Sequence, residues 1–181
     1  PHVWVMSDDM YEHLIYDGFG FCTIAEVEPR LRDRVLTVNG ASKAYAMTGW
    51  RIGYCAGPKA LIAAMKKVQS QSTSNPTSIA QVAAEAALNG DQACMVPMVR
   101  AFRERHDHVV ARLNQLRGVR CLPSNGTFYA FAQFKDAIAN FEGMANDVDM
   151  AELILNEAGV ALVPGSAFGA EGYMRLSFAT S

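Results

Sequence analysis

No two cysteines stand close enough to form a C-x-x-C pair: Cys22, Cys55, Cys94 and Cys121 are scattered singly along the chain. That spacing sets aside a zinc ribbon or a dithiol redox centre and leaves reduced, mostly buried thiols as the expectation. No apolar run approaches the roughly 18 to 20 residues needed to span a bilayer. No charged-then-apolar leader opens the chain either, so a soluble, cytoplasmic protein with no membrane contact is expected. Charge is sparse, at 19% of residues, and the formal net charge is −2, so no basic surface argues for nucleic acid. Internal repeats and low-complexity segments are absent. What is abundant is apolar side chain, 50% of 181 residues, enough to fill a sizeable core. Pro1 runs straight into the strand-like VWV with no initiator methionine, and both ends read as cuts inside a longer protein.

Residues 3–7 form a short apolar run that reads as a buried strand ending at Asp8 and Asp9, followed by loop and irregular structure over 10–34. Further strands are expected at 35–38, stopped by Asn39-Gly40, and at 52–56, closed by Gly57-Pro58. Connections too long for hairpins suggest crossover topology and a mostly parallel sheet. Helical spacing or composition predicts helices over 59–70, 78–88 and about 97–116, the last with a charged, solvated face. After Gly118 the pattern changes to strands at 119–122, 127–134, 160–163 and 174–178, with one helix at 149–158, which suits a small α+β lobe. The boundary is expected near residue 117, giving units 1–117 and 118–181.

Three stretches carry chemistry. The densest is NGASKAYAMTGWRIGY, residues 39–54. Lys43 follows a strand and a turn, flanked by Ala41, Ala44, Tyr45, Ala46, Met47 and Trp50, surroundings that would desolvate an ammonium. A lysine so placed can bond covalently to an aldehyde. Arg51, eight residues on, offers a planar, permanent charge suited to a phosphate. In SDDMYEHL, residues 7–14, an acid pair closes a strand, ordinarily a capping position. In YMRLSFA, residues 173–179, a single arginine interrupts an apolar strand, and burying it unpaired would cost several kcal/mol, so Arg175 needs an anion.

Together these stretches resemble the fold-type-I pyridoxal-phosphate aminotransferases, nearest to the bacterial aspartate aminotransferase group. The resemblance runs the length of the chain in order and corresponds to the C-terminal half of such an enzyme. It implies an α/β fold, the last part of a mostly parallel cofactor domain followed by a small α+β lobe. It also implies that Lys43 holds pyridoxal phosphate covalently and acts as general base, that Arg51 grips the phosphate and that Asp8 pairs with the pyridine nitrogen. Tyr11 takes the place of the tyrosine that bonds the phenolic oxygen, and Arg175 that of the arginine clamping the substrate α-carboxylate. Many members carry a phosphate-binding serine three residues before the lysine. Gly40 stands there in this sequence, so that contact is absent or passes to Ser42. Asp9 and His13 read as structural. PSNGTFY (123–129) and VPGSAFG (163–169) are similar to small-lobe loops that approach the substrate, and 72–81 is similar to a family segment with no assigned role.

The implied reaction moves an amino group between an L-amino acid, aspartate foremost, and a 2-oxo acid, in a homodimer. Aromatic or prephenate-type substrates stay open. Two other readings share the scaffold: an effector-sensing lobe of a transcription regulator, and a pyridoxal-phosphate carbon–sulfur lyase. The family's Gly-rich phosphate loop, its ring-stacking aromatic residue and its asparagine near the phenolic oxygen find no match here, so little turnover is expected of these residues alone.

Overall fold

The structure, a computed structural model, describes residues 2–180 and divides into two compact units, 1–97 and 98–181. The division precedes the boundary expected near 117, and the reason lies in how the long helix packs. Phe102 sets its ring against Phe128, with centroids 5.4 Å apart, and against Phe178 at 6.5 Å. The apolar face of that helix is therefore part of the second unit's core.

In the first unit β1 (Val5–Asp8), β2 (Val35–Gly40) and β3 (Gly53–Ala56) form one sheet in that order. β1 and β2 run parallel, with Asp8 opposite Val38. β3 returns antiparallel, with Gly53 opposite Gly40. Within this chain the sheet is thus mixed, not mostly parallel as its long connections suggested. Residues 41–52 fold back as a tight series of turns, including a 3₁₀ turn at Thr48–Trp50, so the chain re-enters the sheet from the end it left. Between β1 and β2 lie α1 (Ile24–Val27) and a 3₁₀ segment, Pro29–Arg34, capped by the Glu28 carboxylate, which accepts from Arg30 N at 3.2 Å. The same carboxylate pairs with the Arg30 side chain, which holds Glu28 below the usual carboxylate range. α2 (Lys59–Ser72) and α3 (Ser78–Asn89) follow.

α4 (Met95–Leu113) leads into the second unit. There β4 (Arg120–Cys121), β5 (Tyr129–Gln133), β6 (Val163–Pro164) and β7 (Tyr173–Ser177) make an antiparallel sheet in the order β4-β5-β7-β6. Helices α5 (Lys135–Ala139) and α6 (Asp147–Ala158) complete the α+β lobe. Alternation along the strands sorts the faces: Ala130, Ala132 and Met174 are buried in the core, and Tyr129, Phe131, Tyr173 and Arg175 line the other face. Burial also raises the Cys121 thiol above its usual value. Two devices fix the lobe's shape. Asn146 caps α6 by accepting from Val148 N and Asp149 N at 2.9 and 3.0 Å. Gly118, at φ +78°, lets its carbonyl accept from Ala137 N, and a Cβ there would lie 2.6 Å from that nitrogen.

Candidate active site

The site in the first unit grows from the parallel pair. Parallel strands point their carboxyl ends the same way, and that edge is where open α/β sheets receive ligands. Asp8 ends β1, Tyr11 follows in the next turn, and Lys43 lies three residues beyond the end of β2. The fold brings Lys43 and Tyr11 together: the lysine Nζ is 6.0 Å from the centre of the phenol ring. Lys43 and Tyr11 are half-buried, whereas Asp8 and Arg51 are exposed. Asp8 Oδ1 accepts only a long bond from Met10 N, 3.3 Å, and no cation pairs with it among the described residues. Its neighbour Asp9 is buried and accepts from Ser7 Oγ at 2.6 Å, a structural role that leaves Asp8 as the acid facing outward.

The turns that carry Lys43 and Arg51 are held in unusual backbone. Ala46 and Arg51 adopt left-handed φ values of 53° and 51°, a conformation that costs a non-glycine residue about 1–2 kcal/mol. Arg51 Nη1 donates back to Thr48 O at 2.8 Å. Among the described residues no carboxylate neutralises it, so most of its donors remain for an anion. Ser42 is half-buried in the same turn. Gly40 has its own reason to be glycine: a Cβ would sit 3.1 Å from both Gly53 Cα and Ile52 O, where β2 and β3 close on each other.

One pair at this edge lay beyond sequence reasoning. Asn39 Nδ2 donates to Glu12 Oε1 at 2.7 Å, and Asn39 Oδ1 accepts from Gly40 N at 2.7 Å. Two residues 27 apart in sequence thereby tie the Asp8–Tyr11 segment to the end of the lysine strand, and neither spacing nor composition signals it. Tyr45 bonds Gln92 at 2.7 Å. Partial burial first, and then the charge of Glu12, raises the Tyr54 phenol above its ordinary value.

In the second unit Arg175 lies mid-strand on β7, opposite Phe131 of β5 and Val163 of β6. No carboxylate pairs with it among the described residues. Its guanidinium lies over the rings of Tyr129 and Phe168, at 4.5 and 4.6 Å. The 123–129 loop is anchored from below by His106, which is almost wholly buried and accepts from Ser124 N at 2.9 Å through Nε2.

The donor types fit pyridoxal phosphate: a lysine beside a phenol and, among the described residues, an acid and a guanidinium without an ion-pair partner. A family model described as aminotransferase class I and II matches residues 1–181. The chain belongs to that family. It is 56% identical over its whole length to an aspartate/prephenate aminotransferase from Nitrosomonas europaea, of which it covers 47%. It is 50% identical to an aspartate aminotransferase of Rhizobium meliloti, covering 45% of it. The crystal structure of an aspartate aminotransferase from that organism superposes with a TM-score of 0.94 over all of this chain and 46% of its own. An aromatic aminotransferase from Pyrococcus horikoshii gives 0.89 at 38% identity, over 99% of this chain and 47% of its own. The chain therefore spans about half the length of the aminotransferases it matches. No helix among the described residues is long and apolar enough to cross a membrane.

Proposed function

We propose that the protein to which these residues belong is a cytoplasmic, homodimeric transaminase that moves an amino group between an L-amino acid, aspartate foremost, and a 2-oxo acid. The observation that carries the reading is the carboxyl edge of β1 and β2, where Asp8 ends one strand and Tyr11 and Lys43 follow the ends of two adjacent parallel strands. Pyridoxal phosphate, when bound, would supply an electron sink for the substrate's α-carbon.

This chain's residues would do the rest. Lys43 Nζ would bond the cofactor's aldehyde carbon, give way to the incoming amine, and then take the α-proton as general base. Asp8 would keep a proton on the pyridine nitrogen, Tyr11 would donate to the phenolic oxygen, and Arg51, joined by Ser42, would hold the phosphate. Arg175 would take the substrate α-carboxylate in a planar, bidentate grip. The amino acid and the 2-oxo acid share that carboxylate, so one arginine serves both halves of a ping-pong exchange.

The test uses the full-length protein. With pyridoxal phosphate added, borohydride reduction should fix the cofactor on Lys43, and Lys43→Ala should abolish transamination while leaving the fold intact. Peptide mapping that finds the label on Lys59, Lys66, Lys67 or Lys135 overturns the assignment.

A further inference from the structure

An arginine exposed to solvent needs no explanation, and one inside a strand normally answers a carboxylate. Arg175 does neither. It is half-buried in the middle of β7, and what meets its guanidinium is the faces of Tyr129 and Phe168. A cation over an aromatic face is attracted by the ring quadrupole, with no carboxylate needed. Among the described residues no acceptor takes its N–H groups, so the fork a carboxylate would use is left unspent.

Both rings are themselves held. Phe168 closes the 3₁₀ turn Gly165–Phe168, which ends at Gly169 in the left-handed region, and its ring meets the edge of Phe131 at 6.2 Å and 82°. Phe131 in turn stacks on Tyr173, 5.2 Å away with the planes 19° apart. Tyr129 leans on Phe128 at 4.7 Å and follows Thr127, whose φ of 67° is left-handed. Tyr129 N donates to Thr127 Oγ1 at 3.2 Å. The start of β5 and the 3₁₀ turn after β6 thus each deliver one ring to the same guanidinium.

We infer that Tyr129 and Phe168 are positioning residues that fix the plane of the Arg175 guanidinium, so that its N–H fork is set before a carboxylate arrives. This rests on the assignment of Arg175 to the substrate α-carboxylate. It adds that the grip depends on two uncharged rings, and it explains why no internal acid is needed to hold the arginine in a strand. A preset fork spares the ordering of a long, flexible side chain on binding, so the rings act on affinity for any substrate bearing an α-carboxylate.

The experiment is steady-state kinetics of the full-length protein charged with pyridoxal phosphate. Phe168→Leu keeps an apolar, though smaller, side chain and removes the ring. It should raise KM for the amino acid and for the 2-oxo acid together, by about threefold to thirtyfold, the span expected of a partly desolvated cation–ring contact. Phe168→Tyr should restore both. Combining Phe168→Leu with Arg175→Lys should cost less than the product of the single effects, because the ring acts through the guanidinium. Unchanged KM values in Phe168→Leu, or effects that multiply, overturn the inference while Arg175→Lys alone still impairs both substrates. If Arg175→Lys leaves both KM values unchanged, the carboxylate assignment itself fails and takes the inference with it. Should Phe168→Leu not fold, Tyr129→Leu puts the same question to the other ring, with the same outcomes.

Discussion

Arg175 and Asp8 have in common that each is charged, placed in or at the end of a strand, and without an opposite charge among the described residues. For the half-buried Arg175 a missing partner costs stability, whereas the exposed Asp8 stays hydrated, and for both a ligand is a partner that leaves no trace in the chain's own pairings. For Arg175 the expected outcome of substitution follows from geometry. Lysine offers a point charge in place of a fork, so Arg175→Lys should lower kcat/KM by about 2–4 kcal/mol, as one-sided truncation of charge-assisted pairs does. The cofactor's absorption without substrate should stay as it is. If the variant instead loses pyridoxal phosphate or unfolds, yet works normally when loaded, the arginine is structural. Asp8→Asn tests the other charge. An amide cannot hold a proton on a ring nitrogen, so the variant should keep the cofactor and lose orders of magnitude in turnover, measured side by side with the parent.

Elements decide what the single residues can do, and here the sequence was legible to different depths. Lys43 and Arg175 draw notice in the sequence because each is a charged residue in or beside an apolar strand, a local anomaly that needs no knowledge of packing. Asp8 stands at an ordinary capping position and is singled out only by the family resemblance. The antiparallel return of β3 could not be read, because it depends on Gly40 and Gly53 approaching across the sheet, and glycine in sequence announces freedom without saying what it approaches. The short α5 escaped for a similar reason: its register rests on Ala137 N bonding Gly118 O, far away along the chain. The boundary moved because burial of Phe102 and His106 assigns α4 to the second unit, whereas its charged face drew attention to solvent. Two substitutions probe these element-level contacts. Gly40→Ala would press a methyl group on Gly53 Cα and Ile52 O, both backbone, and should destabilise by about 1–3 kcal/mol in denaturant titration. His106→Ala would orphan Ser124 N and leave a cavity beside Phe178, at a cost of about 2–4 kcal/mol. A native denaturation midpoint in either variant removes the contact from the account.

At the scale of the whole chain, the distribution of apolar surface carries the argument. α2 buries no residue at all, and α3 buries only Ala80 and Ala84. Trp4 just before β1, Met6 on β1, Val68 on α2, and Ile79 and Val82 on α3 stand more than half exposed. Large apolar side chains left this exposed in number within one unit mark a surface that another part of a protein covers. The family relatives are about twice as long as this chain, and a longer protein offers the surface that would cover these faces. Residues 1–181 produced alone should therefore bind an apolar dye strongly, self-associate on a sizing column and show no measurable transamination. The full-length protein should do none of the first two and should turn over aspartate with a 2-oxo acid. The second unit is the better placed of the two to keep its shape in such a preparation, because Phe102, Phe128, Met174 and Phe178 already close a core of their own. Amide hydrogen exchange would resolve the two: slow exchange confined to β5 and β7, with α2 and α3 exchanging fast, is the expected pattern. Equal protection across both units would mean that the exposed faces of α2 and α3 need no cover, and the reading of this surface as interior would fall.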